Sequence, residues 1–343
     1  MPSQRIVVIG ASAGGVEALL RFSELIPSNF PAPIFVVIHI PSESPSVLPK
    51  LLTRVGNLTA KHGEDGERYK PGTIYIAPPD RHMLVHRDGT LRVVRGPREN
   101  RHRPAVDPLF RSAAAAVGNR VIGVVLSGTL DDGTAGLIAI KQRGGIAIVQ
   151  DPADALHPSM PQSAMEHVEV DYVLPLDEIP RKLSELIDAE VRMAAAAEPG
   201  ELIEMENRIT EFDGVTLQDD DRPGQPSAFS CPDCGGVLWE IDDDNYTRFR
   251  CRVGHAFSPE SMLGAQSDVL ETALWSALKT LEETARLSKR LAQAETRRGH
   301  EWMATRFQER EKDARERADA IRRALVTDSS EVPVETELAA KAR

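Results

Sequence analysis

The sequence predicts an α/β fold: a doubly wound, mostly parallel sheet layered between helices (α/β/α) with one inserted antiparallel hairpin. A small cysteine-bearing ribbon and a helical hairpin or coiled coil follow it. Three observations carry this. Short aliphatic, β-branched runs alternate with helically spaced ones to about residue 190, the order that builds βαβ units. All three cysteines fall between 231 and 251. After Ser258, Leu270, Leu274, Leu278, Leu281 and Ala285 recur at three- and four-residue spacing.

The first strand is Arg5-Ile6-Val7-Val8-Ile9, ended by Gly10, and Val16, Leu19, Leu20 and Ile26 then share one side of a helix. Ser12 therefore sits on a sharp strand-to-helix turn, beside unpaired N–H groups and the positive end of a helix dipole. Gly10-x-Ser12-x-Gly14 fits a nucleophile elbow, and a phosphate-binding glycine turn would use the same geometry. Pro33 to Ile40 reads as a second buried strand, with His39 at its end, and Val47 to Val55 as a short helix. Thr73–Ala77, Met83–His86 and Thr90–Val94 are strand-like, with Asp88-Gly89 as a turn, so one antiparallel hairpin is expected near 73–95. Asp107-Pro108 reads as the N-cap and first turn of a helix. Val121–Leu126 is another buried strand, and a helix after Asp131-Asp132-Gly133 runs to about Arg143. Ile146–Val149, a helix from Pro161, a strand near Tyr172–Leu174 and a helix from Ile179 to about Met193 complete the alternation.

Composition narrows the class. Hydrophobic residues are 41% and charged residues 27%, ordinary for a globular chain, and 343 residues suggest two or three units of roughly 100–200 residues. No apolar run approaches the roughly 18 residues of a membrane span, and no signal-peptide pattern opens the chain, so a cytoplasmic location without membrane insertion is expected. A net charge of −11 argues against nucleic acid as a partner. The cysteine placement provides no disulfide framework for the main body, which fits a reducing compartment.

In a doubly wound sheet, ligands bind beyond the carboxyl ends of the strands. Ser12, His39 and the Asp131-Asp132 pair all follow apolar strands, so a serine, a histidine and an aspartate gather at one edge, the makings of a hydrolytic triad. Five segments then resemble the catalytic domain of CheB-type chemotaxis methylesterases. They are Gly10-Ala11-Ser12-Ala13-Gly14-Gly15, Val37-Ile38-His39-Ile40-Pro41, Tyr75 through Met83, Arg101-His102-Arg103-Pro104-Ala105-Val106-Asp107, and Leu126-Ser127-Gly128 through Asp132-Gly133. The resemblance covers residues 5 to about 190 and implies Ser12 as nucleophile, His39 as general base and Asp132 as the orienting carboxylate. Asp131 is the alternative to Asp132 and a candidate helix cap, but the aspartate directly before Gly133 matches the motif. Backbone N–H groups around Ala13 and Gly14, or Thr129 and Leu130, are the expected oxyanion donors and site lining. The chain departs from the family pattern at Ala13, where threonine is common, and at Thr129-Leu130, where Met-Gly is common. The family usually carries an N-terminal receiver domain; four residues precede the first strand here, so control by phosphorylation in cis is not expected.

The implied reaction is hydrolysis of glutamate methyl esters on chemoreceptors, with deamidation of receptor glutamines open to the same machinery. The implied partners are methylated chemoreceptor cytoplasmic helices, with a receptor methyltransferase or a response regulator in trans as further candidates. Such helices are acidic, and Arg98, Arg101 and Arg103 in a basic run could steer them, although a solvated loop would read the same way. The competing reading is a non-catalytic receptor-binding adaptor. A dinucleotide oxidoreductase fits less well, because it wants Gly-x-Gly-x-x-Gly and an acidic second-strand end, where this chain has Ser12 and His39.

Residues 1–193 are thus expected to form the catalytic domain and 194–228 an acidic linker, with an amphipathic piece around Leu202 to Ile209. Residues 229–257 read as a zinc ribbon: Cys231-x2-Cys234, sixteen residues, then Cys251-x3-His255 give a closed Cys3His ligand set, with no cofactor needed for catalysis. Residues 258–326 are expected to form two amphipathic helices on a stripe including Leu270, Leu278, Ala285 and Leu291, then Met303, Ala314 and Ala318, as a hairpin or a coiled-coil homodimer. Residues 327–343 read as a disordered tail.

Overall fold

The computed structural model describes residues 5–40, 46–189, 200–212, 222–243 and 246–327. Among them, seven strands form one parallel sheet: β1 (Ile6–Ala11), β2 (Ile34–Ile38), β3 (Thr59–His62), β4 (Thr73–Ile76), β7 (Val121–Val125), β8 (Ile146–Gln150) and β9 (Tyr172–Leu174). Their spatial order is β3-β4-β2-β1-β7-β8-β9. Every residue of β1, β2 and β7 is buried, as a sheet covered on both faces requires. Alternation divides β1 between two cores. Ile6 and Val8 join the cluster with Val125, Leu109 and Phe110, while Val7 and Ile9 join the one with Leu19, Phe22 and Ile34.

The chain winds outward from β1 through β2, then returns to lay β7 on the other side of β1, with Ile6 opposite Val121 and Gly10 opposite Val125. The junction of β1 and β7 is a topological switch point, the place where such sheets bind ligands. The helices between are α1 (Gly15–Leu25), α2 (Leu48–Val55), α3 (Val106–Val117), α4 (Thr134–Gln142), α5 (Ser159–His167) and α6 (Ile179–Asp188).

The structure corrects four expectations. The hairpin is β5 (His82–Val85) with β6 (Leu91–Val94), while Thr73–Ile76 lies in the main sheet, parallel to β2. Thr59–His62 extends that sheet as an unforeseen edge strand, short and partly exposed as edge strands are. Asp107 does not cap its own helix; Ala105 holds the N-cap position of α3. The amphipathic piece expected around Leu202 to Ile209 is α7 (Glu201–Thr210), but it packs rather than links, burying Ile203, Glu206, Ile209 and Thr210. The remainder of that acidic stretch up to Asp221, like the reading of 328–343 as a tail, lies outside the described residues.

A buried charge network explains why this acidic helix packs. Glu206 accepts from Arg248 at 2.6 Å and Arg250 at 3.0 Å, and Glu99 accepts from Arg111 and Arg250, each at 3.0 Å. All five side chains are at least nine-tenths buried, so each guanidinium needs a carboxylate beside it. The two arginines belong to an antiparallel sheet of β10 (Gln225–Ser230), β11 (Val237–Asp243), β12 (Tyr246–Cys251) and β13 (Ala256–Phe257), so the ribbon starts at 225 rather than 229. Ribbon, α7 and parallel sheet fall in one unit that ends at Leu263.

The second unit runs from Gly264. Its helices are the remainder of α8 (Pro259–Arg297) and α9 (Glu301–Thr327), joined through Gly299 and linked by Arg322 to Glu282 at 2.8 Å. Alanines 285, 292, 304, 314 and 318 are buried with Leu278, whereas the expected Leu270 and Met303 are 55% and 42% exposed. Alanines, with Leu278, make up most of this hairpin's buried apolar positions.

Burial would raise the Glu99 carboxyl, but the charges of Arg111 and Arg250 outweigh it and hold it at about 2, against an ordinary 4.5. That depression stabilises the fold above the ordinary value and is lost as pH falls from about 4.5 to about 2. Glu99→Gln should cost about 3–5 kcal/mol at neutral pH, because it strands buried arginines. Urea titrations from pH 7 to 2 should show the wild-type advantage disappearing across that window, and a constant difference would refute the assignment.

Candidate active site

At the end of β1 the chain turns through Ser12-Ala13-Gly14 into α1. Gly14 takes φ +72°, a left-handed conformation that suits glycine. The turn is pinned to its neighbours in the sheet: Ser12 N–H donates to the Ser127 carbonyl at 3.0 Å, and His39 N–H to the Ala11 carbonyl at 3.2 Å. Gly128 must be small, since a Cβ there would lie 2.9 Å from the Ser12 Cβ and collide with Met160.

The three expected side chains meet. Ser12 Oγ lies 3.0 Å from His39 Nδ1, and His39 Nε2 lies 2.7 Å from Asp132 Oδ2. Burial would raise the Asp132 carboxyl, but hydrogen bonds from His39, the Val106 N–H and Asn100, with the His39 charge, hold it below the usual carboxylate range. An ionised carboxylate only accepts, so Nε2 carries the imidazole proton and Nδ1 is left to accept from Ser12. The hydroxyl is thus aimed at a basic nitrogen whose far side is fixed.

Asp132 is itself held by helix termini. It accepts from the N–H groups of Val106 at 2.7 Å and Asp107 at 3.2 Å, the first turn of α3. Asp107 returns the arrangement, accepting from Gly133 at 3.0 Å and Gly136 at 2.7 Å, where α4 begins. Each aspartate caps the other's helix, and the positive dipole ends offset the buried charge. Burial and the Asp132 charge together push the Asp107 carboxyl upward.

Asp131 does not cap the following helix. Its carboxylate accepts from Ser258 Oγ at 2.7 Å and Tyr246 OH at 3.0 Å. Burial, with the charges of Glu260 and Asp132, pushes it up to about 6 against those two hydrogen bonds.

The four expected lining residues lie on two loops: Ala13 and Gly14 directly follow Ser12, and Thr129 and Leu130 directly follow Gly128, which adjoins Ser12. Among the described residues the N–H groups of Ala13 and Gly14 make no hydrogen bond, while the Ala13 carbonyl accepts from Ser127 Oγ at 2.8 Å. Thr129 is exposed and Leu130 half-buried, the latter at φ +61°, a strained conformation for a branched side chain. The basic run behaves differently from expectation at Arg103, which is committed internally: it donates to Asp80 and to the Gly96 carbonyl at 2.8 Å. Arg98 is exposed and Arg101 partly buried.

Two residues escaped the sequence reading. His102 stacks on His39, ring centroids 3.6 Å apart, and burial together with the His39 charge brings it down to about 3, so it remains a neutral wall. Asn100 donates to Asp132 at 3.0 Å and Asp107 at 2.8 Å. The Arg101-His102-Arg103 motif pointed at this loop without saying which side chain turns inward.

A second cluster forms at the ribbon's knuckles. The ligand atoms of Cys231, Cys234, Cys251 and His255 all lie within 4.8 Å of one another. Cys234 and Cys251 Sγ are 3.7 Å apart, and His255 Nδ1 is 3.7 Å from Cys231 and 3.6 Å from Cys251. A tetrahedral ion at about 2.1–2.3 Å from each donor spaces them by roughly 3.4–3.8 Å, so the set fits a four-ligand metal. His255 Nε2 faces Asp233 at 3.8 Å, as a ligand histidine's outer nitrogen usually finds a carboxylate.

Comparison with known proteins bears on the parallel-sheet region of the chain. The sequence model described as CheB methylesterase matches residues 7–183. A Leptospira interrogans protein, provisionally named protein-glutamate methylesterase/protein-glutamine glutaminase, is 41% identical over 173 residues, 50% of this chain and 90% of its own. A Geobacter metallireducens protein-glutamate methylesterase/protein-glutamine glutaminase is 39% identical over 184 residues, and this chain spans 50% of it. The crystal structure of the Thermotoga maritima CheB methylesterase catalytic domain superposes with a TM-score of 0.52 at 40% identity, covering all of that chain and 54% of this one. The chain belongs to the CheB methylesterase family.

Proposed function

We propose that this chain is a serine hydrolase acting on side-chain γ-carboxyl derivatives of glutamate in proteins: methyl esters first, and the amides of glutamine by the same route. The observation that supports this most directly is the unbroken line from Ser12 Oγ through the His39 ring to Asp132, at 3.0 and 2.7 Å. Ser12 Oγ attacks the ester carbonyl carbon while its proton passes to His39 Nδ1. The carbonyl oxygen gains negative charge, and the free N–H groups of Ala13 and Gly14 are the donors nearest in sequence to the nucleophile. Collapse expels the methoxy oxygen, which takes the proton from Nδ1 and leaves as methanol. Water then attacks the acyl-serine with Nδ1 as base, releasing glutamate and restoring Ser12. With an amide, ammonia leaves instead. Asp132 stays ionised throughout and stabilises the imidazolium.

The proposed substrates are methylated cytoplasmic helices of chemoreceptors, as family membership suggests. With Arg103 engaged by Asp80, the exposed Arg98 offers a basic side chain to an acidic helix. Zinc is the proposed occupant of the ribbon. Three thiolates and an imidazole with no open position suit a structural ion, and its role would be to close the two knuckles.

Two outcomes are expected. Ser12→Ala should fold and lose methanol release from methylated receptor by roughly 10⁴-fold or more; residual wild-type turnover in the folded variant would end the hydrolase reading. Elemental analysis of purified protein should find about one zinc per chain, reduced in Cys234→Ser; metal-free protein with an intact ribbon would rule the ion out.

A further inference from the structure

Residues beyond the family match touch the machinery of the site. The matched stretch ends at 183, yet Ser258, at the head of α8, donates from Oγ to Asp131 and from its N–H to Asn100 Oδ1 at 3.0 Å. Ser261 Oγ adds a second donor to the same oxygen at 3.2 Å, and Tyr246 OH holds the other Asp131 oxygen. Asn100 is saturated: Oδ1 accepts from the ribbon side, while Nδ2 donates to Asp132 and Asp107. Its amide can face only one way, because Ser258 N–H only donates and the ionised Asp132 only accepts. Asn100, Asp131, Ser258 and Ser261 are each at most 5% exposed.

The backbone repeats the linkage. Asn100 N–H donates to the Ala256 carbonyl at 2.8 Å, and Ala256 N–H to the Arg98 carbonyl at 3.2 Å. His255, at the second knuckle, is three residues before Ser258. Both braced loops hold non-glycine residues in the left-handed region, Asn100 at φ +49° and Leu130 at +61°, and such conformations persist only where surroundings over-determine them.

We propose that the C-terminal ribbon completes the active site, with Ser258 and Tyr246 as positioning residues that hold the Asp131–Asp132 loop, and Asn100 as the bridge from Ser258 to Asp132. This rests on the hydrolase reading. Esterase output is therefore set partly by a module outside the hydrolase fold, and a disturbance of the ribbon at its knuckle reaches Asp132 through Ser258 and Asn100.

The test compares wild type, Ser258→Ala, Ser258→Thr, Tyr246→Phe and Ser12→Ala in the full chain on a small methyl ester. Ser258→Ala and Tyr246→Phe should each lower kcat on the order of tenfold, the scale of one hydrogen bond to a charged group, with KM kept within about twofold. Ser258→Thr, which retains the hydroxyl, should recover most of it. The downfield proton resonance of His39 Nε2–H should move in Ser258→Ala and hold in Ser258→Thr. Wild-type kcat in both deletion variants, or an unmoved resonance in Ser258→Ala, overturns the proposal. If wild-type turnover does not depend on Ser12, the hydrolase reading fails, and the resonance alone decides the positioning. If Ser258→Ala does not fold, Tyr246→Phe carries both readouts.

Discussion

Keeping Asp132 charged while burying it is the constraint the site must satisfy. A carboxylate withdrawn from water is unstable unless donors surround it. Four do: the His39 imidazole, two N–H groups from the first turn of α3, and the Asn100 amide. They come from three separate parts of the chain, so the sheet, α3 and the loop before it must all be in register for the charge to be tolerated. Catalytic geometry and fold stability are in this respect the same set of hydrogen bonds, and damage to one damages the other.

The exchange of caps between α3 and α4 follows from this. Asp107 sits in the first turn of α3 and binds the start of α4, while Asp132, just before α4, binds the first turn of α3. Close approach of the two helices is possible because position 136 lacks a side chain; a Cβ there would press on Phe110 and Asp107. The ribbon adds a second level of support. Its arginines need Glu99 and Glu206, and Glu99 neighbours Asn100, so charge neutralisation in the ribbon and orientation of the triad share one loop.

Much of this was legible in the sequence where burial is one-sided in its demands. The runs that became β1, β2 and β7 carry only residues suited to a sheet covered on both faces, and the serine, histidine and aspartate after them were forced to one edge. The four metal-spaced ligands were legible from spacing alone. Thr59–His62 was not, because a short polar edge strand has no alternation to display. The pairing of Glu206 with Arg248 and Arg250 was not legible, since a sequence records charge but not which partner will neutralise it. Asn100 and His102 were hidden for a related reason: their roles depend on a left-handed backbone at Asn100 and Arg101 that turns the loop inward. Between Asp131 and Asp132 the sequence motif favoured the second, and the geometry shows what the first does instead.

The order of the sheet has a consequence for how the chain is made. Its central strand is the first to be synthesised, and one of its two neighbours, Val121–Val125, comes more than a hundred residues later. While the ribosome is translating that interval, one whole edge of Ile6–Ala11 has unpaired amides and carbonyls beside bare aliphatic side chains. Such an edge is a template for misassembly until Val121–Val125 pairs with it.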